Sequence, residues 1–193
     1  MNNKLCSLIY YFIKKNPNLN KTELVKLSYL TDYNFYKYYK KNMTGITYIY
    51  HDHGPFSRSV YDCIGELKEE QILKQNENVS VNEQRKYYSF TIKNEYDIEK
   101  YFNKQELEIL DFVVSEYGNL GYKKLTEISY NTEPMKNAEK EDELNFDYIS
   151  KSLENKISKV RKECGSLNNY SGKPPKFEDN DNLIGYQYKI MSN

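Results

Sequence analysis

Apolar positions along the first half of the chain follow two periods, and the places where the period changes mark the elements. Leu5, Leu8, Ile9, Phe12 and Ile13 repeat at i, i+3 and i+4, the spacing of one helix face, and Pro17 closes that helix. A second helix is predicted over 20–41. Asn20 can cap it while Glu23 reaches back as the capping-box partner. Leu24, Leu27 and Leu30 give it an apolar side that continues through Tyr33, Phe35 and Tyr36, and Lys37, Lys40 and Lys41 load its last turns, where cations complement the helix dipole. Gly45 then releases the chain into a strand-like run, Ile46-Thr47-Tyr48-Ile49-Tyr50. The segment His53-Gly54-Pro55-Phe56-Ser57 makes a sharp corner with Ser57 at an N-cap position. A third helix is predicted over 57–73, with Val60, Ile64 and Leu67 towards the core. Gly65 inside it costs about 1 kcal/mol against Ala, which close approach of a neighbouring element would justify.

Further on, Val79–Val81 and Tyr87–Ile92 read as a hairpin, with Tyr88, Phe90 and Ile92 on one face. Asn103 and Glu106 open another capped helix that is expected to bury Leu107, Leu110, Val114 and Tyr117. Gly118 and Gly121 bracket a break, a helix through Leu125 and Ile128 follows, and Thr132-Glu133-Pro134 forces a turn. The order predicts a helix-rich α+β domain over residues 1–140 with a small antiparallel sheet or hairpin. Its first half has the element order of a winged helix. From Glu139 to Glu143 the chain becomes a charged linker, and residues 141–193 form an extension. Phe146, Ile149, Leu153, Ile157, Val160 and Cys164 make an amphipathic stripe there, and Pro174-Pro175 makes a loop. The stripe either covers the domain or meets a partner.

Composition changes this picture in three ways. Apolar residues are only 38% and the mean hydropathy is −0.89, but 21 Tyr and 8 Phe supply large buriable surfaces with polar handles. The 28 basic and 28 acidic residues cancel, so the basic excess of a nucleic-acid binder is missing. No apolar run approaches the roughly 18 residues of a membrane span. Ser7 and the Lys14-Lys15-Asn16 ending also argue against a signal peptide. Cys6, Cys63 and Cys164 are widely spaced and odd in number. They make no disulfide framework or CxxC zinc pattern, and they point to the cytoplasm.

Candidate chemistry is sparse. His51 and His53 would share a strand face near Cys63, but a fourth metal ligand is not apparent, and Cys63 adjoins the presumed core stripe. Glu66, Glu69 and Glu70 read as a solvated helix face. Phosphate-binding loops and a nucleophile elbow are absent from the sequence. No catalytic residue, cofactor or metal is expected. If the domain were a winged helix on DNA, helix 57–73 would enter the groove. It offers Arg58 at its start, and Asp62, Glu66, Glu69 and Glu70 would repel phosphate.

Several short motifs agree in order and spacing with one family. Lys26-Leu27-Ser28-Tyr29-Leu30, Asp32 and Tyr36 lie in the second helix. Thr44-Gly45-Ile46-Thr47-Tyr48 and His53-Gly54-Pro55-Phe56-Ser57 follow, then Val60-Tyr61. Leu125-Thr126-Glu127-Ile128 and Pro134-Met135-Lys136-Asn137-Ala138 come last. Over roughly residues 4–140 the chain resembles the Panacea antitoxin domain, which includes SocA-type proteolytic adaptors. It departs at Met135, where the family often has Trp, and nothing after Glu143 matches.

The resemblance implies no catalytic residues and no cofactor. It implies a protein that binds and blocks a cognate toxin, some such toxins being translation inhibitors of the alarmone-synthetase type. In the SocA branch the toxin is instead handed to a bacterial protease. A bacterial or prophage toxin–antitoxin system is the expected setting. Tyr36, Tyr38 and Tyr39, which with Tyr33 cannot all face one core stripe, are the expected partner contacts, together with Ile149, Leu153 and Ile157 of the C-terminal stripe.

Overall fold

The N-terminal pattern forms α1 (Asn3–Lys15) in the computed structural model, which describes residues 3–79 and 86–153. Leu5, Leu8, Ile9 and Phe12 are fully buried, but so are Cys6 and Tyr10 on other sides of the helix. The helix is therefore enclosed rather than laid down by one face. Its buried phenols reach acidic partners: Tyr10 donates to Glu95 at 2.9 Å, and Tyr11 donates to Asp111. Helix α2 (Lys21–Tyr39) opens on the expected capping box, with Glu23 N–H donating to Asn20 Oδ1 at 3.0 Å and Asn20 N–H donating to Glu23 Oε2 at 2.8 Å. Every residue from Leu24 to Phe35 is buried, so α2 is the central rod of the molecule.

The predicted strand 46–50 shifts. Strand β1 is Ile49–His51 and pairs antiparallel with β2, Gly54–Phe56. The Gly54-Pro55 corner thus lies inside β2, and the tight turn is Asp52-His53. Proline is tolerated because β2 is an edge. The other edge of β1 is taken by the expected linker. Leu144 N–H donates to Tyr48 O, Tyr50 N–H to Asp142 O and Glu141 N–H to Tyr50 O, each at 2.8 Å. The charged, mostly acidic run 139–143 hid this extended pairing, because backbone bonds carry it.

Helix α3 (Arg58–Glu69) starts as expected at Ser57, although the Ser57 side chain makes no cap bond. It stops short of residue 73. Gln71 takes a left-handed conformation at φ +59°, and Ile72 N–H donates back to Leu67 O at 2.8 Å. A glutamine in that role leaves no sequence signal.

Strand β3 (Leu73–Val79) therefore begins earlier than predicted and pairs with β4 (Lys86–Ile92). Polar cross-strand bonds hold it, Asn76 to Thr91 at 3.0 Å and Asn78 to Ser89 at 2.9 Å. Phe90 plugs the core, but Tyr88 on the same face stays 43% exposed. The winged-helix order is present, yet β1 pairs locally with β2 and the β3–β4 hairpin stands as a separate sheet.

Helix α4 (Lys104–Tyr117) has the predicted Asn103–Glu106 capping box. Lys4 of α1 adds an ion pair to Glu106 at 2.6 Å. Helix α5 (Gly121–Tyr130) leads into α6 (Glu133–Lys136), a short helix where a plain turn was expected, with Pro134 in its first turn. Residues 147–153 are helical again, and Leu144, Phe146 and Ile149 are buried in the core. Described residues on both sides of the expected boundary at 140 lie within one compact unit, Met1–Asn155.

Gly65 breaks another expectation, because a Cβ built there meets nothing within 4 Å. No neighbour requires the glycine. Gly65→Ala is expected to stabilise the fold by about 1 kcal/mol through helix propensity alone. Urea unfolding measures it, and a lower midpoint for the alanine variant would disprove the open-space reading.

Candidate functional site

The motif residues converge on the inside of the molecule. Asp32 is fully buried and accepts three bonds, from Thr44 N–H at 2.9 Å, Thr44 Oγ1–H at 2.5 Å and Tyr48 O–H at 2.9 Å. Burial pushes its carboxyl up to about 6 despite those donors. Six residues earlier on α2, Lys26 is 3% exposed and donates to Pro55 O at 2.6 Å. Burial pulls that amine down to about 7. Gly54 sits at φ +88°, and a Cβ there would lie 3.3 Å from Lys26 Nζ. Gly45, at φ +69°, turns the chain off Asp32. Lys26 and Asp32 thus hold the two ends of segment 44–56 against α2.

Between them, Tyr29 bonds Thr132 Oγ1 at 2.6 Å. Thr132 spends its own proton on Ser129 O at 2.7 Å, so Tyr29 is the donor. Tyr29 also meets Tyr48 edge-on at 5.3 Å and Phe146 at 5.7 Å. Val60, Ser57 and Pro134 are buried. Phe56 and Tyr61 are half-buried with rings 5.4 Å apart. Tyr130 and Thr132 extend this bracket; the sequence marked Thr132 only as part of a turn and Tyr130 not at all, since their partners Tyr29 and Asp52 lie far away in the chain. Most of the signature side chains are buried or half-buried and bond across the fold.

The expected contact residues scatter. Tyr38 is 54% exposed. Tyr36 is half-buried, donates to Asp147 at 2.5 Å and lies 5.7 Å from the Phe146 ring. Tyr39 is half-buried and leans on Phe35 at 4.5 Å. Ile149 is 1% exposed, which corrects its assignment as a partner contact: the helical stripe turns Phe146 and Ile149 into the core formed with α2. Leu153 is 36% exposed, and Ile157 lies outside the described residues.

An exposed aromatic band was not foreseen. Phe112 on α4 is 42% exposed and packs edge-on against Tyr117 at 6.0 Å. Helices α2 and α4 pack together, and burial, with Glu116 and Tyr38 adding to it, pushes the Tyr117 phenol up. Tyr38, Tyr117 and Phe112 thus run across neighbouring helices α2 and α4, flanked on α4 by exposed Glu108 and Glu116. Phe112 sits off the expected Leu107–Leu110–Val114–Tyr117 stripe, and that offset was the available signal; of that stripe Leu110 is buried, together with Ile109 and Val113, whereas Leu107, Val114 and Tyr117 are half-buried.

His51 and His53 are exposed at the β1–β2 turn, with the His51 ring tilted against Phe56 at 5.5 Å. Cys63 is buried, as its place beside the core stripe suggested. It lies instead with Cys6 and Glu66, the ligand atoms of the three falling within 4.8 Å of one another. Two open depressions, of about 540 and 640 Å³, flank Gly45. Neither is lined by a histidine or cysteine. Among the described residues no helix is long and apolar enough to cross a membrane.

The arrangement is a helix-rich domain braced from within by its motif residues. The family model described as "Antitoxin SocA-like, Panacea domain" matches residues 24–135, and the chain belongs to that family. Searches of curated proteins and of solved structures gave no match.

Proposed function

We propose that this chain is an antitoxin that silences a cognate protein toxin in the cytoplasm by binding it, using the Tyr38–Tyr117–Phe112 band. The family match carries the reading. The band supports its placement, because large exposed rings beside a polar rim are what binding hot spots are made of. Glu108 and Glu116 flank Phe112 one helical turn to either side and are exposed, so the toxin surface they meet is basic. Leu153 extends the proposal to the C-terminal stripe, including Ile157. The motif bracket contributes rigidity: segment 44–56 is fixed to α2 at both of its ends, so the backbone that carries Tyr38 needs little ordering on binding.

DNA is a poorer fit. On α3 the one early cation, Arg58, is paired with Asp62 at 3.0 Å.

The test co-expresses this chain with the small open reading frame beside it. That neighbour alone should arrest growth, and this chain should restore it. Tyr38→Ala combined with Phe112→Ala should abolish rescue while the folded level stays unchanged, each ring being worth about 2 kcal/mol or more at a hot spot. Intact rescue by the double variant sinks the surface assignment. Protease-dependent disappearance of the toxin would replace blocking with delivery to a protease.

A further inference from the structure

The geometry points to a zinc-class cation site formed by Cys6 of α1 with Cys63 and Glu66 of α3. Cys63 and Glu66 are three residues apart and share a face of α3, and Cys6 meets them from the neighbouring helix. A tetrahedral zinc with sulfur at about 2.3 Å and oxygen at about 2.1 Å holds a sulfur and an oxygen ligand roughly 3.6 Å apart, and two sulfurs roughly 3.8 Å apart. Cys6 Sγ lies 3.6 Å from Glu66 Oε2, and all three ligand atoms fall within 4.8 Å. An ion therefore fits with side-chain adjustment alone.

The donor set selects the metal. Two sulfurs and one carboxylate oxygen favour zinc or cobalt over magnesium or calcium, which want oxygen throughout. Cys6 and Cys63 are buried, whereas Glu66 is half-buried, so the ion enters by the carboxylate and a water completes the fourth position. On binding, each thiol gives its proton to solvent, so one divalent ion displaces two protons and leaves the site with one net negative charge. The role is a staple. Cys6 lies outside the matched segment 24–135, and Cys63 and Glu66 lie within it, so the ion would clamp the N-terminal helix to the antitoxin domain.

The test titrates the reduced, chelator-washed full chain with cobalt(II). One ion per chain should bind, with a near-ultraviolet thiolate-to-cobalt charge-transfer band and release of two protons, both reversed when chelator is added. Zinc should displace the cobalt and raise the melting temperature. Cys164→Ser should keep the band, Cys63→Ala should lose it, and Glu66→Gln should weaken binding at least tenfold while keeping the band. The wild-type measurements stand even if Cys63→Ala fails to fold. Absence of the band in the reduced wild type, its loss in Cys164→Ser, or oxidation to a Cys6–Cys63 disulfide by peroxide with no cobalt uptake before it would overturn the proposal.

Discussion

Asp32→Ala should destabilise the fold by about 4 kcal/mol. Three donors lose their acceptor at once, and each buried donor left unpaired costs about 1–3 kcal/mol. The total stays below the sum because the Thr44 and Tyr48 hydroxyls can rotate and water can enter the space left behind. Asp32→Asn separates the charge from the contacts, since its amide oxygen still accepts.

The carboxyl sits at about 6 in the fold against 3.8 in the open chain. Between those values the folded state holds the extra proton, so this group's contribution is full below pH 3.8 and is lost as pH rises through about 6. The gap is worth about 3 kcal/mol. The stability of the wild type relative to Asp32→Asn should therefore fall across that window. Urea unfolding at a series of pH values reads the difference, and a difference that is flat or grows with pH would contradict a desolvated Asp32.

Where local chemistry decides the structure, the sequence was a good guide. Both asparagine-led capping boxes, at Asn20 and Asn103, stand where the Asn-x-x-Glu spacing put them. Helical periodicity found α1 to α5 and a hairpin ending at Ile92. What it missed was written in the backbone or in distant contacts. Gln71 ends α3 with a left-handed residue that is not glycine, and the polar strand β3 is stabilised by partners on β4. The end of the charged run, with Leu144 after it, is held by main-chain bonds to Tyr48 and Tyr50, to which side-chain pattern is blind.

The candidate sites divide in the same way. Lys26, Tyr29 and Asp32 were legible as a motif, but their inward role depends on Pro55, Thr132 and Thr44, which only the fold brings near. Cys6 and Cys63 are 57 residues apart (63 − 6) and carry no spacing signal at all.

Lys26→Met should reverse its effect with pH, and this follows from the same physics with the opposite sign. The buried amine titrates at about 7, whereas in the open chain it holds its proton to 10.5. Below pH 7 it is charged in both states and the fold bears the full desolvation cost, about 5 kcal/mol for that gap. As pH rises from 7 towards 10.5 only the open chain still binds the proton, so the cost fades and stability climbs. Methionine keeps the length of the side chain and removes the charge, but it leaves Pro55 O without its donor at a cost of about 1–3 kcal/mol. Near pH 7 the first effect wins and the variant should be the more stable protein by about 2 kcal/mol. Near pH 10 the lost bond wins and it should be the less stable one by about 1 kcal/mol. Paired urea melts at the two pH values decide it, and a variant weaker than wild type at both would show that the Pro55 bond, not desolvation, governs this site. Toxin rescue adds the functional half. A variant that is more stable yet loses rescue would mean the lysine's hold on Pro55 sets the pose of the β1–β2 hairpin that the antitoxin needs.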